Sequence, residues 1–167
     1  TPRAFLATAS CFALAACSGN LIGPPDAARI YVLDPALPPP MPPGGAKVDF
    51  ALAVERPDAA SGLDTDRIAL IQSDGTMDYY AGAQYPGAVP ALVQAALVSA
   101  FQASGRIDQV AREEDALHAD YDLFIDIRNF EAHYPAPDAV PSAQVTLTAR
   151  LATAHGRWLE YDEPDPF

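Results

Sequence analysis

The stretch Ala119-Asp120-Tyr121-Asp122-Leu123-Phe124-Ile125-Asp126-Ile127-Arg128 decides how this chain folds. Tyr121, Leu123, Ile125 and Ile127 occupy every second position, and Asp122, Phe124, Asp126 and Arg128 fill the places between. Successive side chains of a strand point to opposite faces, so a period of two predicts a strand with one buried and one solvated face. After a proline-bearing loop the pattern returns. Val145, Leu147, Ala149 and Leu151 alternate with Gln144, Thr146, Thr148 and Arg150. Two such strands in succession predict antiparallel neighbours.

Working outward, Val48, Phe50, Leu52 and Val54 alternate with Lys47, Asp49, Ala51 and Glu55, a third strand with one buried face. Ile68, Leu70 and Ile71, then Met77 to Tyr80, flank Ser73-Asp74-Gly75-Thr76. Asp-Gly between two such runs signals a hairpin, because glycine tolerates positive φ. Val89, Leu92, Val93, Ala96, Leu97, Ala100 and Phe101 recur at three and four residues, which predicts a helix from about Gly87 to Ser104 with one apolar stripe. Pro90 suits its first turn and Gly105 its left-handed end. Ile107 and Val110 indicate a short strand, and Arg112 to Asp115 an exposed turn. Arg29-Ile30-Tyr31-Val32-Leu33 reads as a compact strand before a proline run, Pro38 to Pro40 with Pro42 and Pro43. Lacking amide protons, that run reads as a stiff polyproline connection and not as a central strand. Glu160 to Phe167, acidic with two prolines, reads as unstructured, and no internal repeat is present.

Half of the 167 residues are hydrophobic, enough to build one domain around a packed core. The formal charge is −12 and Lys47 is the single lysine. That balance opposes binding to nucleic acid, or to an anionic lipid surface through basic residues. The acidity reads as solvated faces.

The N-terminal segment carries the most specific chemistry. Arg3 precedes an uncharged stretch from Ala4 to Ala16, followed by Cys17. A basic start, a short apolar segment and small residues at its end form a signal peptide. A membrane span needs about 20 apolar residues, more than this stretch offers. Leu14-Ala15-Ala16-Cys17 is a bacterial lipobox: Leu14 gives the peptidase an apolar contact, Ala15 and Ala16 admit the extended backbone, and the Cys17 sulfur takes the diacylglyceryl group. The plainer alternatives are an ordinary signal peptide, or a buried helix with an incidental cysteine. Thr1 is not a methionine, so more of the charged start is expected before it. The lipobox divides the chain into a signal at 1–16, a tether at 17–28 and a domain at 29–167. Cys11 leaves with the signal, so no thiol remains for a disulfide or a metal. Ser18, where aspartate would favour the inner membrane, favours the outer one.

Reactive constellations are few. Asp120, Asp122 and Asp126 share one strand face with His118 just ahead, and Glu113, Glu114 and Asp115 lie nearby. Carboxylates and imidazole bind divalent ions, but alternation makes this a solvent face, and no metal is expected. His133 and His155 have no partner by spacing. No Gly-x-Ser-x-Gly elbow or glycine-rich phosphate loop occurs. The expectation is a protein without catalytic residues and without a cofactor beyond the lipid on Cys17. Tyr79, Tyr80 and Tyr85 cluster near the hairpin and the helix start. They are candidate partner contacts, tyrosine being common at interfaces, with a place at the core edge as the plainer reading.

Taken in order, the segments resemble a known family. The carrying residues are Cys17, Tyr31-Val32-Leu33-Asp34-Pro35, Leu63-Asp64-Thr65-Asp66-Arg67-Ile68 and Met77-Asp78-Tyr79-Tyr80. The helix through Leu92 to Phe101 with Ser104-Gly105 follows, then Ala119 to Leu123, Phe130-Glu131, and Val145 through Leu151. This order resembles the ABC-type transport auxiliary lipoproteins, including the PqiC-type lipoproteins. The resemblance implies an α+β domain with a mixed, mostly antiparallel sheet and one or two helices packed on one face. It implies a lipid-anchored, periplasm-facing component that docks partners. These would be an ABC permease, its ATPase and an MCE-type substrate-binding protein, in a system moving lipids or other hydrophobic molecules. Self-association stays open. One rival is a lipoprotein that carries lipid in an apolar groove; a surface-anchored hydrolase is the weakest. Tyr85 stands where the pattern leads one to expect tryptophan. From Gly156 to Phe167 the chain departs from the family's closing strand and helix, so a truncated or diverged end is expected, leaving one apolar sheet face uncovered.

Overall fold

The computed structural model describes residues 27–33, 47–115 and 118–154. In chain order its elements are β1 (Arg29–Ile30), β2 (Val48–Val54), β3 (Asp58–Ala59), β4 (Arg67–Ile71), β5 (Met77–Gln84), α1 (Val89–Ser104), β6 (Ile107–Arg112), β7 (Tyr121–His133) and β8 (Ser142–Thr153). The signal, the lipobox, Ser18, the proline run and the chain from His155 onward lie outside the described residues.

β7 is the spine. Along one edge it pairs antiparallel with β8, from Tyr121↔Thr153 to His133↔Ser142. The opposite edge takes three short strands set end to end, all parallel to it. Val54 of β2 lies beside Leu123, Ala59 of β3 beside Ile127, and Ile71 of β4 beside His133. β6 adds parallel to β2, β5 adds antiparallel to β4, and β1 adds parallel to β5. The result is one mixed eight-stranded sheet with α1 packed against β6 and β2, an α+β architecture. The expectation of mostly antiparallel pairing holds for β7–β8 and β4–β5; the other described ladders are parallel. Alternation reports which face a side chain takes, and it carries no information about strand direction.

Local chemistry sets the boundaries. In the hairpin Gly75 has φ 84°, and Asp74 Oδ1 accepts the Thr76 N–H at 2.8 Å. α1 has Pro90 in its first turn, and its start is held by the Val89 N–H donating to the Thr65 carbonyl at 3.0 Å. Gly105, at φ 62°, ends it in the left-handed conformation. Two helix amides then bind the sheet. The buried Gln94 Nε2 donates to the Val54 carbonyl at 2.9 Å, and Gln102 Nε2 to the Val110 carbonyl at 2.9 Å.

The core joins Leu52, Val54, Val89, Val93, Val110, Leu123, Ile125 and Ile127. One expectation about faces needs correction: near its end β2 is buried on both faces, with Ala53 3% exposed between its strand neighbours Ala111 and Asp122. An uncovered apolar face is expected from the sequence, and on β8 Val145 is 56% and Leu147 39% exposed. The helix packs on β6 and β2, across β7 from β8.

Candidate functional site

The structure places the three candidate tyrosines in different settings. Tyr79 is locked: its hydroxyl donates to the Gly62 carbonyl at 3.0 Å, and the Arg67 guanidinium stacks 3.7 Å from its ring centre. Cation and ring attract through the quadrupole of the π-system. Tyr80, next in the strand, shares a hydrogen bond with the Tyr134 hydroxyl at 2.8 Å. Removal from water, then that bond, pushes its pKa up to about 12. Both hydroxyls are thus engaged within the chain, and both side chains are half-buried.

Tyr85 differs. It packs edge-on against Phe130, centres 6.0 Å apart, and burial alone raises its hydroxyl pKa. The two rings join Leu33, Ile68, Ala132 and Val145 around an open groove of about 390 Å³. Glu131 also borders it but is 8% exposed, its oxygens held by Asn129 Nδ2 at 2.7 Å and the Phe130 N–H at 2.6 Å. Each oxygen of this carboxylate accepts one hydrogen bond beside the register shift of β7 between Ile127 and Asn129. Most of the groove's lining is apolar, suited to an acyl chain or an apolar side chain, with Glu131 and Ser142 as its polar part. Sequence reasoning reached Tyr85 but not the groove, whose lining comes from distant segments with no shared spacing.

The acidic residues near β7 serve backbone and neighbours. Asp120 Oδ2 accepts the Ala51 N–H at 2.8 Å, and Asp126 pairs with Arg128 at 2.8 Å. His118 and Asp115 border a second, smaller hollow of about 330 Å³ with Gln109. Among the described residues no three His, Cys, Asp or Glu side chains converge as metal ligands.

Glu55 and Glu113, at the ends of neighbouring strands, form a pair that spacing did not reveal. Glu113 Oε2 accepts the Arg56 N–H at 2.9 Å. The hydrogen bond to Glu113, then burial, then repulsion from Glu113 and Asp122, raises the Glu55 pKa from 4.5 to about 7. The same bond, with the Arg56 N–H, lowers that of Glu113. Glu55 thus holds a proton in the folded state that the unfolded chain releases. Its stabilising contribution is complete below pH 4.5 and is lost as pH rises toward about 7. Glu55→Gln keeps a neutral donor at every pH. It is expected to raise stability at pH 8 by about 1 kcal/mol, allowing for solvent screening, and to change it little at pH 5.5. Urea titrations at both pH values check this; equal shifts at the two would refute the shared proton.

Comparison with known proteins adds the wider setting. Residues 31–163 match the family described as ABC-type transport auxiliary lipoprotein component. The match runs past Gly156, where the sequence reading sees the family pattern stop. Over 115 residues, 69% of this chain, the sequence is 30% identical to an uncharacterized protein of Bradyrhizobium diazoefficiens, and the chain spans 30% of that relative's length. A crystal structure of a protein from Xanthomonas campestris has 32% identity and a TM-score of 0.68, covering 78% of this chain and 72% of that one. Another, of an uncharacterized protein, has 15% identity and a TM-score of 0.54 over 68% of this chain and 74% of that one, which shows the fold alone.

Proposed function

The chain belongs to the ABC-type transport auxiliary lipoprotein family, and we propose that it is the lipid-anchored docking component of an envelope transport system for lipids or other hydrophobic molecules. The observation that carries this reading is the family match across residues 31–163. Its partners are an ATPase, a permease and an MCE-type substrate-binding protein, and it catalyses no reaction itself. Cys17 holds the anchor, and Ser18 favours the outer membrane. Confinement to a surface raises the effective concentration of a docking site for partners held at the same envelope. The contact we assign is the apolar groove beside Tyr85 and Phe130; aromatic rings flanking a concave surface are common anchors at interfaces.

The groove itself favours a second reading, in which the protein carries a lipid directly. One experiment separates the two. A photo-crosslinking residue at Tyr85 in intact cells is expected to capture a permease or MCE-type subunit, and the same residue at Asp74 on the hairpin tip none. Capture of lipid alone at Tyr85 would establish the carrier reading, and capture of neither would defeat both.

A further inference from the structure

Met77 carries reactive chemistry that the docking reading does not use. It opens β5 beside the exposed hairpin tip, opposite Ile71, and is 41% exposed. Met77 and Tyr79, two residues apart, share one face of the strand, and the segment 60–66 crosses that face at Gly62. There the Tyr79 hydroxyl donates to the Gly62 carbonyl at 3.0 Å. A Cβ atom at Gly62 would lie 2.9 Å from the Met77 Sδ and 3.6 Å from the Tyr79 hydroxyl oxygen. Gly62 does not have a positive φ, so what glycine supplies here is room for the thioether. Sulfur, hydroxyl and carbonyl thus meet around a single residue.

We propose that Met77 is an oxidation site for peroxides, and that its sulfoxide draws the Tyr79 hydrogen bond away from Gly62 and loosens the segment that holds Tyr85. In the reaction a sulfur lone pair forms the S–O bond, the O–O bond of hydrogen peroxide breaks, and water leaves. Sulfur gives up two electrons and the peroxide takes them. The product is polar and its oxygen is a strong acceptor, whereas the thioether sulfur is a weak one. A tyrosine hydroxyl has one proton to donate, so a bond to the sulfoxide and the bond to Gly62 exclude each other. The consequence spreads through what 60–66 holds. Leu63 is in the core at 3% exposed, and the Asp64 carboxylate pairs with Arg56 at 2.8 Å. The Thr65 carbonyl accepts the Val89 N–H at the helix start, and the Asp66 carbonyl accepts the Tyr85 N–H at 2.7 Å. Tyr85 borders the apolar groove. Resting on the docking reading, this makes docking weaker under peroxide, until a methionine sulfoxide reductase restores the thioether.

Hydrogen exchange on the full chain, before and after hydrogen peroxide, tests this, with peptide mass locating the added oxygen. One oxygen on Met77 is expected, and the Leu63, Asp64, Tyr85 and Val89 amides should then exchange faster by about tenfold. The β7–β8 ladder should not change. A sulfoxide reductase with a dithiol should restore the slow rates. Met77→Leu keeps an apolar side chain of similar volume and should make these amides indifferent to peroxide. Tyr79→Phe lacks the hydroxyl, so it should exchange fast from the start and gain nothing on oxidation. Three results would overturn the proposal. One is Met77 left unmodified at peroxide concentrations that oxidise free methionine. Another is a sulfoxide that leaves the four amides slow. The third is an acceleration that persists in Met77→Leu, or that oxidation adds equally to Tyr79→Phe. Exchange needs no partner, so its outcome is independent of the docking reading, which photo-capture at Tyr85 tests separately.

Discussion

Ile127→Ala is expected to destabilise the domain by about 3–4 kcal/mol, the largest loss from any single conservative change. Ile127 is 2% exposed at the middle of β7, with β3 on one side and β8 on the other. Truncation removes three carbon atoms from contact with the core and leaves a cavity. Its walls are strands held by ladders on both edges, so they cannot close on it, and the cavity term adds to the lost transfer energy. A domain of this size has a total stability of about 5–15 kcal/mol, so the loss is a large fraction of the whole. Urea unfolding at pH 7, with an unchanged slope and a shifted midpoint, is the measurement. Leu147→Ala on β8 provides the contrast. Leu147 is 39% exposed and meets few core atoms, so about 1 kcal/mol or less is expected. Near-equal losses at the two positions would mean that the core is not centred on β7.

Much of this architecture was legible in the sequence because its signals are local. Period two marked β7 and β8, Asp74-Gly75 marked the hairpin, and Pro90 with Gly105 bracketed the helix within about two residues. What escaped depends on contacts between distant residues. β3 is two residues long, too short to show a period, and the parallel order around β7 leaves no mark on any one strand. The alternation of β8 marks an apolar face but not whether it is covered, which depends on where the helix lands, and α1 packs on β6 and β2. The site divides in the same way. Tyr85 was found by residue type, whereas its groove and the Glu55–Glu113 pair arise only when separate segments meet. Tyr79 and Tyr80, equal to Tyr85 by type, are committed to Gly62, Arg67 and Tyr134.

Cys17→Ala is expected either to transfer the protein from the membrane to the soluble fraction, the membrane-bound share then falling at least tenfold, or to leave an uncut precursor held by its own apolar segment. Acyl chains contribute about 0.8 kcal/mol per buried methylene, and two or more hold a protein stably where one holds it marginally. Without them the described residues offer little to replace the anchor. No helix among them is long and apolar enough to cross a bilayer. A charge of −12 with one lysine repels an anionic surface instead of binding it. The exposed stripe on β8 is too narrow for lasting insertion. Cell fractionation with a salt wash tests this, because a protein held through its partners would be released by salt whereas one held by acyl chains would stay. Mass spectrometry of the mature N-terminus provides the second readout. Retention of Cys17→Ala protein of mature length through the salt wash, or an unmodified thiol at Cys17 in the native protein, would remove the anchor from the mechanism. The docking site would then lose the surface confinement on which its effective concentration depends.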